Sequence, residues 1–184
     1  VACAGSAAQT RVIDSLAIQL GKASAPCQGT DKIDKAREST AITRRLSADG
    51  TSCRYEVSWR GPLLAPDRFR GLPPGESRVS AAVFSFERLQ LTDALGSLLE
   101  GVQIGELEVR ISVGDAPLIR LGGAAPPHGT PREVEASARV VKAVDAAVGR
   151  GEAVPGAVVV ELELTDAQRR ALARRTAVPW IELS

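Results

Sequence analysis

The sequence predicts an α+β fold, a mostly antiparallel sheet with helices on one face. Three observations carry this expectation. Asp49-Gly50 and Gly114-Asp115 each stand between runs of alternating apolar and polar residues, the local signature of a hairpin. Glu106 to Val113 alternates with period two between apolar and polar residues, and in Ala157 to Leu164 the residues Val158, Val160, Leu162 and Leu164 share one face while Glu161 and Glu163 point the other way. From Val79 to Leu164 the elements run strand, helix, strand, strand, helix, strand. That order is the split β-α-β unit of ferredoxin-like (βαββαβ) folds, expected as a core at 79–164 with an N-terminal helix and hairpin before it and a C-terminal helix-strand extension after it. The 184 residues divide into a flexible tether, 1–9, and a single domain, 10–184. Within the domain, 10–60 is helix plus hairpin, 61–78 loop and 79–184 the main core.

Thr10 caps a first helix to Leu20, with Val12, Ile13, Leu16, Ala17 and Leu20 as its apolar stripe and Gly21 as its stop. Residues 22–39 are polar and mixed in charge, and read as a solvated loop. Ala41 to Ser47 and Ser52 to Arg60 flank the Asp49-Gly50 turn, with Cys53, Tyr55, Val57 and Trp59 sharing an inward face. Gly61 to Ser77 has no period and holds four prolines and three glycines around Arg68-Phe69-Arg70. Ordered loops of this length are uncommon and often functional. Two arginines about an aromatic suit a carboxylate, a phosphate or a partner surface, although a surface loop with Phe69 tucked inward is the plainer reading.

Val79 to Leu91 reads as one long strand whose alternation slips at Glu87-Arg88, the mark of a bulge. Thr92 caps a short helix through Leu95, Leu98 and Leu99, ended by Gly101. Strand 106–113 turns at Gly114-Asp115 into a partner at Pro117 to Leu121, and Gly122 to Gly129 links onward. Thr130-Pro131-Arg132-Glu133 has the form of a capping box with Pro at the first helical position. Val134, Ala138, Val141, Val144 and Val148 then follow at helical spacing, Gly149 and Gly151 end the helix, and Pro155-Gly156 turns the chain into strand 157–164. Thr165, with Gln168 three residues on, opens a second capped helix from Asp166 to about Arg175. Val178 to Leu183 is a final strand that lies at an edge or begins at Pro179.

Composition excludes more than it selects. A formal charge of +1 offers no global attraction to nucleic acid or anionic membranes, and 3% aromatic residues leave little for base stacking. No apolar run reaches the roughly 20 residues that a spanning helix needs. The chain has no Asn, which excludes N-glycosylation, and no Met, from which a processed or trimmed chain is expected.

The three cysteines are Cys3, Cys27 and Cys53. Val1-Ala2-Cys3-Ala4-Gly5-Ser6 resembles the end of a bacterial lipoprotein signal, with a small residue before a lipid-bearing Cys and a small, polar tether behind it. Lipid on Cys3 leaves Cys27 and Cys53 as a pair able to form a disulfide in an oxidising compartment. The alternative is a cytosolic chain with three ordinary thiols.

No catalytic or cofactor motif is present. The single histidine, His128, has no Ser, Cys or carboxylate tied to it by spacing. The cysteines lack the close pairs of a zinc site, and Gly149-Arg150-Gly151-Glu152 follows a helix and lacks the lysine of a phosphate loop. Glu161 and Glu163 near Asp166 suggest an acidic metal site, against the plainer reading of a solvated strand face. Arg169, Arg170, Arg174 and Arg175 form the densest positive cluster, suited to an anionic partner or, more plainly, to the end of a helix.

The expected function is therefore a non-enzymatic accessory or binding protein of the bacterial envelope, without a cofactor or metal. It is attached through lipid at Cys3 and stapled by Cys27 and Cys53, with Arg68, Arg70, Arg169, Arg170, Arg174 and Arg175 as partner-binding candidates. Two alternatives stand beside it: a cytosolic enzyme or regulator using Glu161, Glu163 and the Arg68–Arg70 loop, and a binder of an anionic partner through the Arg169–Arg175 helix.

Overall fold

The computed structural model describes residues 16–19, 25–66, 79–86, 89–91, 108–122, 132–173 and 180–183. Cys3, Arg68, Arg70, His128, Arg174, Arg175 and the helix expected at 92–101 lie outside these residues. In chain order the elements are β1 (Leu16–Gln19), β2 (Gln28–Asp34), β3 (Ser39–Leu46), β4 (Ser52–Leu64), β5 (Val83–Phe86), β6 (Leu89–Leu91), β7 (Glu108–Val113) and β8 (Ala116–Gly122). They continue as β9 (Arg132–Glu135), helix α1 (Ala138–Gly149), β10 (Val154–Thr165), helix α2 (Asp166–Ala173) and β11 (Trp180–Leu183).

Six strands form an antiparallel sheet in the order β2-β3-β4-β10-β7-β8. The expected alternation builds it. Val57, Val160 and Val109 lie opposite one another in one cross-strand row, each 0% exposed. Trp59, Val158 and Ile111 form the next row, and Tyr55 faces Leu162. Burying a valine of this kind stabilises the fold by about 1.5–3 kcal/mol relative to leaving it exposed. Helix α1 lays Val140, Val144 and Ala147 on the same face, against Val113, Ala116 and Val154. The Asp49-Gly50 hairpin is present as read: Gly50 has φ +73°, and the Gly50 amide donates to the Ser47 carbonyl at 3.0 Å. So is the Gly114-Asp115 turn, with Gly114 at φ +55°.

Two glycines opposite each other, Gly61 and Gly156, make room on the inward face. A Cβ at Gly61 would meet the Trp59 ring at 2.6 Å, and one at Gly156 would overlap the Leu63 side chain. The indole and the leucine thus fill the space that two side chains would otherwise occupy.

Several expectations are corrected. The box at Thr130–Glu133 does not open the helix: Arg132–Glu135 is strand β9, paired with β5, and the cap is Ser137, whose hydroxyl accepts from the Val140 amide at 3.4 Å. The buried stripe is accordingly Val140, Val144 and Ala147, while Ala138 is exposed. Residues 16–19, read as helix, are a strand because β11 supplies a pairing edge far along the chain (Ile18 opposite Ile181). The solvated loop at 22–39 contains strand β2, every residue of which is exposed. Pro155-Gly156 is not a turn but part of β10, where a register shift at Val154/Pro155 absorbs the proline.

The slip at 87–88 separates two strands of different sheets, β5 with β9 and β6 with β11. Neither joins the six-stranded sheet, so the first strand of a ferredoxin-like core is missing from beside β10, whose neighbours are β4 and β7. Strand β11 begins directly after Pro179 and is flanked on both sides, by β1 and β6.

Candidate functional site

Two polar regions stand out, one on each face of the sheet. The first is a clasp at the border of the apolar face. Cys27 and Cys53 form a disulfide with Cα atoms 5.7 Å apart, across 26 residues of sequence. A cross-link closing a loop of this size stabilises a chain by about 3–4 kcal/mol through the unfolded state. Cys53 is fully enclosed and Cys27 half-buried.

Two arginines hold the residues just before Cys27. Arg44 donates through Nε to the Pro26 carbonyl at 3.0 Å and pairs with Asp31 at 2.8 Å. Arg169 donates to the Ala25 carbonyl at 2.7 Å and to the Tyr55 hydroxyl at 3.0 Å. Arg44 is 4% exposed, so its charge depends on these partners. Its hydrogen bond in turn holds the Asp31 carboxyl below the usual carboxylate range.

The second region is the outward face. Glu56, Glu161 and Glu108 occupy one cross-strand row, a like-charge arrangement that would destabilise the sheet if left alone. Arginines interleave with it. Arg110 bridges Glu108, at 3.3 Å, and Glu161. Arg120 reaches Glu108 at 2.8 Å and lowers its pKa chiefly by that hydrogen bond. Glu163 accepts from the Ser52 hydroxyl and lies 3.7 Å from Arg54. Such exposed pairs contribute about 0–1 kcal/mol each. The acids at 161 and 163 are thus turned to guanidiniums and a hydroxyl, and among the described residues no group of three or more His, Cys, Asp or Glu is placed to hold a metal ion.

The arginine cluster of α2 divides. Arg169 is turned inward to Tyr55 and Ala25, with 16% of its side chain exposed, whereas Arg170 is exposed and returns to the Asp166 carbonyl at 3.2 Å. The helix opens with the expected reciprocal cap: the Gln168 amide donates to the Thr165 hydroxyl at 3.3 Å and the Thr165 amide to the Gln168 side chain at 2.7 Å.

Sequence reasoning missed Arg44, although a signal was present. Arg44 follows Ile42 at spacing two, which puts an arginine on the inward face of β3 and calls for a buried partner. The Pro26 carbonyl that answers it, like the Ala25 carbonyl that answers Arg169, carries no sequence signal.

No protein-family model, curated protein or solved structure matches the chain. Among the described residues no helix is long and apolar enough to cross a membrane.

Proposed function

We propose that the protein is a non-enzymatic accessory or binding protein of the bacterial cell envelope, anchored by lipid on Cys3. The observation that supports this most is the Cys27–Cys53 disulfide, one sulfur of which is enclosed in the core. Cross-links built into a core in this way persist in oxidising compartments and are rare in the cytosol. Pairing Cys27 with Cys53 leaves Cys3 as the odd cysteine, in the lipoprotein-like context Val1 to Ser6.

Mass spectrometry of the protein extracted from its native host tests the reading. A thioether-linked lipid on Cys3 together with oxidised Cys27 and Cys53 is the expected result. An unmodified Cys3 with free thiols at 27 and 53 overturns it.

A second reading, binding of an anionic partner through α2, is favoured by the exposure of Arg170. Charge reversal by Arg170→Glu, which leaves the inward bonds of Arg169 intact, is expected to weaken adsorption to an anionic resin or vesicle. Unchanged adsorption removes this reading.

A further inference from the structure

Strand β2 is an edge strand whose seven residues are all exposed, so it gains little from apolar burial. Its attachments, with those of the segment entering it, are backbone pairing with β3, a Thr30–Thr43 hydroxyl contact of 3.1 Å, the Asp31–Arg44 pair, the bonds from Arg44 and Arg169 to the Pro26 and Ala25 carbonyls, and the disulfide immediately before it. The other half of that disulfide lies on β4, enclosed beside Tyr55, Val57 and Trp59. Gly29, at φ +93°, interrupts the extended backbone of β2 near the bridge. Segments with few buried apolar contacts open at a lower free energy than the core does. Departure of β2 also returns the enclosed guanidinium of Arg44 to water, which offsets part of the lost pairing.

We propose that Cys27–Cys53 is a redox latch on this edge strand. Its reduction releases residues 25–34 from the sheet while β3, β4, β10 and β7 stay paired. The reductant is a dithiol. Its thiolate attacks the sulfur of Cys27, the half-buried partner, the Cys27–Cys53 bond breaks, and the Cys53 sulfur leaves as a thiolate and takes up a proton. The second thiol of the reductant resolves the mixed disulfide. Cys27 leaves as a thiol, and two electrons and two protons have passed from the dithiol, which ends as its own disulfide.

Hydrogen exchange of the full-length folded chain, with and without dithiothreitol, tests the latch. The amides exchanged between β2 and β3 are expected to lose protection by about tenfold or more, with those joining β4 to β10 and β10 to β7 unchanged. Cys27→Ala, which leaves the enclosed Cys53 in place, is expected to reproduce the pattern without reductant. Where that variant does not fold, wild-type protein reduced after folding decides the matter. A bond that resists dithiothreitol under native conditions overturns the proposal. So does full reduction with β2 protection unchanged, or loss of protection through all six strands together.

Discussion

The guanidinium of Arg169 donates to the hydroxyl of Tyr55 at 3.0 Å, joining a helix and a strand 114 residues apart in sequence. The same side chain holds the Ala25 carbonyl, so α2, β4 and the segment entering β2 meet at one planar group. Arg169→Ala is expected to lower stability by about 2–3 kcal/mol, because hydrogen bonds from a charged donor are lost at a site mostly shielded from water. Arg169→Lys recovers little of this, since an ammonium cannot reproduce the fixed fork. The neighbouring Arg170→Ala is expected to stay within about 0.5 kcal/mol of wild type. Urea denaturation of the three variants checks the contrast.

Gly156 has no room for a side chain. An added Cβ overlaps Leu63 and comes within 2.9 Å of the Ser112 carbonyl oxygen. Gly156→Ala is expected to cost about 1–3 kcal/mol, the usual range for overpacking. Combination with Leu63→Ala relieves the clash with Leu63, so the double variant is expected to be more stable than the sum of the single losses. Thermal melts of the full cycle read this directly.

The cap of α2 rests on Thr165 and Gln168 together. Thr165→Ala is expected to cost about 1 kcal/mol, and Thr165→Ser much less, because the serine hydroxyl restores the acceptor. Chemical denaturation followed by circular dichroism distinguishes the two.

The turn between β3 and β4 carries a pH dependence of definite sign. The Asp49 carboxylate accepts from the hydroxyls of Ser47 and Thr51 and from the Thr51 amide, which holds its pKa down to about 2. An unfolded aspartate titrates near ~3.9. The folded value is the lower one, so the stabilisation is fully present above the unfolded value and is lost as pH falls through about 2. The carboxyl carbon resonance of Asp49 is expected to titrate near 2 in the folded protein. A midpoint close to the unfolded value would show that these bonds do not form in solution.

Sequence was most informative where a local signal and burial coincide. Cys53, Tyr55, Val57 and Trp59, and likewise Val158 to Leu164, alternate because one side of each strand is enclosed, and both stretches were readable for that reason. The Cys27–Cys53 pair was readable by cysteine count. Strand β2 was not, because an exposed edge strand of sequence QGTDKID has no apolar face to alternate. The box at Thr130–Glu133 misled because capping chemistry is local, whereas the fate of Arg132–Glu135 is decided by pairing with Val83–Phe86 some 50 residues earlier. Of the clasp, the sulfurs were legible in pairing and Arg169 only as a member of a positive cluster. The Arg44 and Arg169 contacts join side chains to backbone carbonyls, which every residue possesses and none advertises.

The place of β10 in the sheet bears on how the chain is made. Its neighbours β4 and β7 precede it in sequence and touch it on opposite sides, so among the described strands of this sheet it is β10, residues 154–165, that joins the N-terminal strands to the β7-β8 hairpin. A folding chain can close its early hairpins by themselves, but their apolar faces wait for the last long strand. Assembly dominated by such distant pairings is slow, which lengthens the time those faces stand open to aggregation or to a chaperone. Oxidation of Cys27 with Cys53 needs none of the later strands, and can therefore fix the N-terminal register before the sheet is complete.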